Sequence, residues 1–180
     1  TLGGMDWPRQ KATSAEGIRR QQKELCDILD QLKAAHFNTV LFQTRLRGSL
    51  LYPSAIEPYC ESLTGRTGRN PGYDPLRFAI EECHKRGMEL HAWIVTIPIG
   101  NTRQNNLLGK HSIVRKNRKI CKSFKGSWYL DPGHPETTEY LSRIVREITA
   151  NYDIDGIHFD YIRYPEQGDR FPDNDTYRKY

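Results

Sequence analysis

Asp160 closes the run Ile154-Asp-Gly-Ile-His-Phe-Asp-Tyr-Ile-Arg-Tyr-Pro165, a short β-type stretch that ends in acidic, aromatic and basic side chains. A carboxylate delivered by the end of a strand can act as a nucleophile or as an acid–base group. Two earlier stretches repeat the design. Asn38-Thr-Val-Leu-Phe-Gln-Thr-Arg45 ends in a guanidinium, and Met88-Glu-Leu-His-Ala-Trp-Ile-Val95 carries an imidazole and an indole.

Side chains alternate across a strand, so parity decides which of these groups meet. If helices cover the outside of the sheet, the more apolar set of each strand faces them and the other set faces the interior. Val40 and Phe42, Leu90, Ala92 and Ile94, and Ile157 and Phe159 form the helix-facing sets. Leu41, Gln43 and Arg45, His91 and Trp93, and His158 and Asp160 form the interior sets. Three strands thus place charged, imidazole or indole groups on one face near one edge. Each residue also has a plainer reading: Asp160 as a turn cap or partner of Arg163, His91 and His158 as satisfied core histidines, Trp93 and Trp7 as packing. Gln43 is the weakest member of the set.

The elements that must position these strands follow in order. Residues 1–8 read as a frayed strand end and a loop. Thr13-Ser-Ala-Glu16 has a capping-box pattern, and Ile18, Leu25, Ile28, Leu29 and Leu32 recur on one helical face up to about Ala35. Asp74-Pro75 supplies an N-cap with proline at the first helical position, and Leu76, Ala79, Ile80 and Cys83 mark a buried face until Gly87. A third helix starts near Asp131-Pro-Gly-His-Pro135 and carries Tyr140, Leu141, Ile144, Val145 and Ile148 to about Asn151. Residues 46–73 and 96–127 read as long loops. Alternation of helix and strand predicts a parallel α/β sheet with right-handed crossovers. The long connections follow the strands, so the elaborated face is their C-terminal edge, where such folds bind ligands. No Gly-rich phosphate fingerprint follows any strand, so no nucleotide cofactor is expected.

With 180 residues, 37% hydrophobic and 27% charged, the chain has the composition of one globular domain. No apolar run reaches the roughly 20 residues needed to span a bilayer, and the first residues lack the pattern of a signal peptide. Cys26, Cys60, Cys83 and Cys121 are widely spaced and form no CxxC pair, so free thiols are expected. The net charge of +5 is concentrated between Lys110 and Lys125. That run lacks interleaved aromatics, so it reads as a solvated loop and not as a nucleic-acid surface.

Asn38–Arg45, Leu51-Tyr-Pro-Ser54, Leu63-Thr-Gly65, Pro71-Gly-Tyr-Asp-Pro-Leu76, His84–Trp93, Leu130-Asp-Pro-Gly133 and Tyr152–Pro165 resemble, in order, the glycosyl-hydrolase-like 10 family of bacterial secreted proteins and lipoproteins. The resemblance implies a (β/α)8 TIM-barrel fold, a glycan substrate such as a polysaccharide or bacterial cell-wall strand, and an extracytoplasmic location. A complete barrel takes about 250 residues. The chain therefore reads as roughly its first half, cut within the first strand and at the C-terminus. The Asp160 strand is similar to the nucleophile strand of amylase-type retaining enzymes, which implies a nucleophile or charge stabiliser at Asp160. It departs from the family pattern in following that acid with Tyr161.

Glycoside hydrolysis ordinarily takes two carboxyl groups. Asp131, Glu57, Glu61 and Glu166 are the candidates for the second, and a group beyond Tyr180 is an alternative, which predicts an inactive fragment. Arg45, His91, His158 and Arg163 are expected to hold hydroxyls or an anionic substituent, with Trp93 and Tyr161 stacking on sugar. Two other readings remain open: a metal-dependent hydrolase using His91, His158 and Asp160, and a non-catalytic carbohydrate-binding domain.

Overall fold

The computed structural model describes residues 6–165 and 170–179. Its centre is a three-stranded parallel sheet, β1 (Thr39–Arg45), β2 (Glu89–Val95) and β6 (Gly156–Asp160), ordered β1-β2-β6. Helices α1 (Ala15–Ala34), α3 (Pro75–Lys85) and α6 (Pro135–Asn151) precede these strands in turn. This is the helix–strand alternation that the periodicity predicts.

The helix starts are set by local chemistry. Asp74 caps α3 by accepting from the Arg77 amide, with Pro75 as its first residue. In α1 the cap is Ser14, whose Oγ accepts from Gly17, so the expected Thr13–Glu16 box does not form: the cap lies one residue later, its third helical residue is a glycine, and Glu16 pairs with Arg19 and Arg20 instead. His134, one residue before Pro135, caps α6.

One face of the sheet is packed by helices. Leu90, Ala92 and Ile94 are fully buried with Leu25 and Leu29 of α1, Leu76, Ala79 and Cys83 of α3, and Ile144 and Ile148 of α6. Strands buried on this face by short αβ connections leave their C-terminal ends to the longer loops. Phe159 is 44% exposed because β6 is an edge strand and no described helix covers it. The four cysteines are free, as their spacing suggests.

The two long connections are more structured than their sequence indicates. Residues 46–73 contain the short helix α2 (Glu61–Thr64) and bury Leu50, Leu51 and Tyr52. The stretch expected as a polar loop over 96–127 contains β3 (Pro98–Asn101), α4 (Thr102–Leu108), α5 (Ile113–Lys116) and β4 (Cys121–Phe124), followed by β5 (Ser127–Leu130). β3, β5 and β4 form a separate antiparallel sheet. Elements of four residues are too short to show periodicity, which is why the sequence conceals them. The basic side chains of this stretch are largely engaged: Lys119 pairs with Glu136, Lys122 with Asp131 and Asp175, and Arg118 lies over the Trp128 ring at 4.0 Å. A last short helix, α7 (Asn174–Tyr177), packs Thr176 against Asp131. Among the described residues, no helix is long and apolar enough to cross a membrane. The expected strand end at residues 1–5 and the candidate acid Glu166 lie outside the described residues.

Candidate active site

Parallel pairing places Gln43, Trp93 and His158 in one row across the sheet, with Asp160 one step further toward the C-terminal edge, opposite Val95. Gln43, Trp93, Asp160 and Tyr161 line a cleft of about 600 Å³ together with Arg47, Glu61 and other residues of the loops. Of the interior-facing sets, Gln43, Trp93 and Asp160 thus border a cleft, and Arg45, His91 and His158 do not.

Asp160 is held at two points. Its Oδ2 accepts the indole N–H of Trp93 at 3.1 Å, and its Oδ1 accepts the backbone N–H of Tyr161 at 2.7 Å. The second bond depends on Tyr161 adopting a left-handed backbone, φ +51°, a conformation that non-glycine residues seldom take outside functional or tight-turn positions. Each carboxylate oxygen keeps further acceptor capacity.

Three expected site residues behave differently from one another. Arg163 lies with its guanidinium 5.0 Å from the Tyr161 ring centre and lines a second, smaller pocket. His158 stands edge-on to Trp93, ring centres 5.9 Å apart, on the open edge strand and outside the cleft lining. His91 pairs with Gly156 at the opposite end of β2, where its ring reaches Glu89 at 3.3 Å. Four residues along a strand amount to roughly 13 Å, so His91 is not part of the site near Asp160. His91, His158 and Asp160 accordingly do not converge, and no group of three His, Cys, Asp or Glu residues among those described is arranged to hold a metal ion.

Arg45 corrects the parity reading. The β1–β2 register shifts between Gln43 and Arg45, so Arg45 pairs with Ile94 and not with the row above Trp93. A bulge adds one residue to a strand and reverses the facing of all that follow. Arg45 is consequently turned away from the cleft, fully buried, and forked onto Glu57 at 2.6 and 2.8 Å while donating to the carbonyls of Val95 and Thr96. Tyr140 of α6 donates to the same Glu57 carboxylate at 2.5 Å. Burial alone would pull the Arg45 pKa down, and the Glu57 charge reverses this into a rise. This triad is structural.

The remaining candidates for a second carboxyl separate on the same grounds. Glu57 is consumed by Arg45 and Tyr140. Asp131 is fully buried, accepting from Gly133 and Thr176. Glu61, at the start of α2, lines the cleft and makes no ion pair among the described residues.

Two features escape the sequence reading. Gln43, its weakest candidate, is 4% exposed at the cleft floor with its Oε1 lacking any hydrogen-bond partner. Arg47 sits on a tight turn in which Leu46 and Ser49 exchange backbone hydrogen bonds, with positive φ at both Arg47 and Gly48. The Arg47-Gly48 pair is the available signal, since a two-residue turn of this hand favours glycine at its second position.

A model of the family described as "Glycosyl hydrolase-like 10" matches residues 3–180. The chain is 38% identical to the protein named Glycosyl hydrolase DigH of Escherichia coli K12, covering 100% of this chain and 44% of that one. It is 37% identical to Glycosyl hydrolase YngK of Bacillus subtilis, covering 98% and 34%. It thus spans less than half the length of these relatives. In structure it is similar to the maltogenic α-amylase AmyB of Thermotoga neapolitana, with TM-score 0.58 over 89% of this chain and 38% of that one, at 13% identity. At that identity the likeness concerns the fold.

Proposed function

Because the chain belongs to the glycosyl hydrolase-like 10 family, we propose that it carries the strand-end carboxylate of a glycoside hydrolase, with Asp160 as nucleophile or charge stabiliser and a polymeric glycan as substrate. The observation that carries this reading is the double restraint on Asp160 at the lip of a cleft lined by Trp93 and Tyr161. A carboxylate that meets an anomeric carbon must be held in one orientation, because misplacement by about 1 Å is costly in rate. The Trp93 indole and the Tyr161 amide supply that orientation, while the aromatic rings offer the flat apolar surface that suits a sugar ring.

The three parallel strands with their preceding helices fit an arc of a (β/α)8 barrel, in which chemistry sits at this C-terminal edge. Glu61 is the residue that best fits the second carboxyl role within the described residues. Gln43 fits a reader of one sugar hydroxyl, since its buried and unpartnered Oε1 would accept a donor from a bound ring.

The test is Asp160→Asn in the full-length protein, assayed on glycan polymers. Turnover should fall by about 1,000-fold or more while glycan binding stays within about threefold. Near-normal turnover would overturn the assignment, and binding without turnover in the unmodified protein would favour a carbohydrate-binding role instead.

A further inference from the structure

The cleft at Asp160 continues into a second pocket of about 150 Å³, and three residues, Arg47, Gln104 and Tyr161, line both. From this arrangement we infer that the smaller pocket is a subsite for an acidic sugar substituent, a carboxylate or comparable anion, on the ring adjoining the one held over Asp160. The inference rests on the glycan-binding reading of the main cleft and specifies the chemical class of its substrate.

The charge balance of the pocket points to an anion. Among the described residues its lining contains Arg47 and Arg163 and no aspartate or glutamate; the others are polar groups such as Asn101, Gln104 and Ser127 and the aromatic or apolar surface of residues that include Trp128, Tyr129 and Tyr161. Among the described residues, Arg47 makes neither a hydrogen bond nor an ion pair, although most basic groups of the neighbouring insert are engaged. Among the described residues, Arg163 rests on the Tyr161 ring at 5.0 Å and makes only a 3.5 Å contact to the Pro165 carbonyl. Both guanidinium groups thus retain donors for a ligand, and arginine is the side chain best matched to a planar, bidentate anion.

The placement of Arg47 is built and not incidental. Its left-handed backbone, φ +49°, is followed by Gly48 at φ +84°. A side chain on Gly48 would come within 3.1 Å of Ile99 of β3, so the turn is braced directly against the accessory sheet. Non-glycine residues in this conformation are held there by their surroundings, and such positions cluster where a ligand is clamped. Tyr161, the other exposed non-glycine residue with left-handed backbone in these pockets, links the two: its amide holds Asp160 and its ring carries Arg163. An acidic group seated between the arginines would therefore place the neighbouring ring toward Asp160.

The experiment compares binding and turnover of acidic polysaccharides (polygalacturonate, alginate, hyaluronan and a carboxylated cell-wall glycan) with the carboxyl-reduced form of each, using the full-length protein, Arg47→Asn and Arg163→Gln. Asparagine is chosen at Arg47 because it tolerates the left-handed backbone. At least one acidic glycan should be preferred over its neutral form by about tenfold, the scale of one charge-assisted hydrogen bond. Each substitution should reduce that preference to within about threefold. Equal binding of every pair, or a preference that survives both substitutions, overturns the subsite. An acid preference in a protein without hydrolytic turnover upholds the subsite and removes the hydrolase reading; turnover without acid preference does the reverse.

Discussion

Arg45 and Glu57 form an ion pair with neither side chain more than 2% exposed, on the face of the sheet opposite the cleft that Arg45 is expected to serve. The pair ties the end of β1 to the loop that follows it, and Tyr140 extends the tie to α6. Removing one member of such a pair leaves an uncompensated buried charge. Arg45→Met should therefore lower unfolding stability by about 3–5 kcal/mol in urea denaturation. If Arg45 instead contacted substrate, the same change would raise KM with an unaltered urea midpoint.

Trp93 holds Asp160 through its indole N–H and also presents an aromatic face, and the two roles can be separated. Trp93→Phe keeps an aromatic ring and deletes the donor. We expect kcat to fall by about tenfold, as for loss of one hydrogen bond to a charged group, with glycan affinity nearly unchanged. A loss confined to KM would show that the ring and not the hydrogen bond matters.

Gln43 gives opposite signs in two measurements. Replacing it with methionine removes a buried oxygen that has no partner, so thermal stability should be equal or higher. If the oxygen reads a sugar hydroxyl, kcat/KM should nevertheless fall by about 10 to 200-fold. A stable variant with full activity would show that Gln43 only fills space.

Cys83 and Cys121 test the core without reference to function. Burial pushes each thiol up to about 12, far from thiolate at neutral pH. Both should resist iodoacetamide at pH 8 in the native protein and react fully in denaturant, as read by mass spectrometry of peptides. Rapid native labelling of Cys83 would mean that α3 does not pack against the sheet as described.

Asp155 latches the N-terminal end of β2 by accepting from the His84 ring at 2.9 Å and the Leu90 amide at 2.8 Å. Partial burial works to raise its pKa, but these donors outweigh it and hold the carboxyl below its ordinary value. A depressed carboxyl stabilises the fold above its unfolded pKa and loses that contribution as pH falls through the folded value. Asp155→Asn should thus be less stable than the unaltered protein at pH 5, with the gap closing below about pH 3.9. A gap that persists at pH 2 would assign the effect to shape and not to charge.

Periodicity was sufficient for α1, α3, α6 and the parallel strands because each is long enough to show a face. Parity then located Asp160 and Trp93 on one side of the sheet. It failed at Arg45, since a single-residue bulge leaves no mark in composition yet reverses every later side chain. It over-extended at His91, since alternation reports the face of a strand but not the height along it. The insert after β2 was illegible for a different reason: its strands are four residues long, and its buried Ile99, Ile113, Ile120 and Leu130 join the core through contacts distant in sequence, which no local pattern encodes.

That insert has an evolutionary consequence. β3 and β5 wall the smaller pocket, yet neither joins the sheet that carries Asp160. On the proposed reading, the walls of the subsite can diverge apart from the strand that carries Asp160, while the arginines that would charge it, Arg47 and Arg163, travel with the loops of the parallel sheet. Exchanging residues 98–130 between relatives should therefore reshape the wall of the smaller pocket while Arg47, Arg163 and Asp160 stay in place.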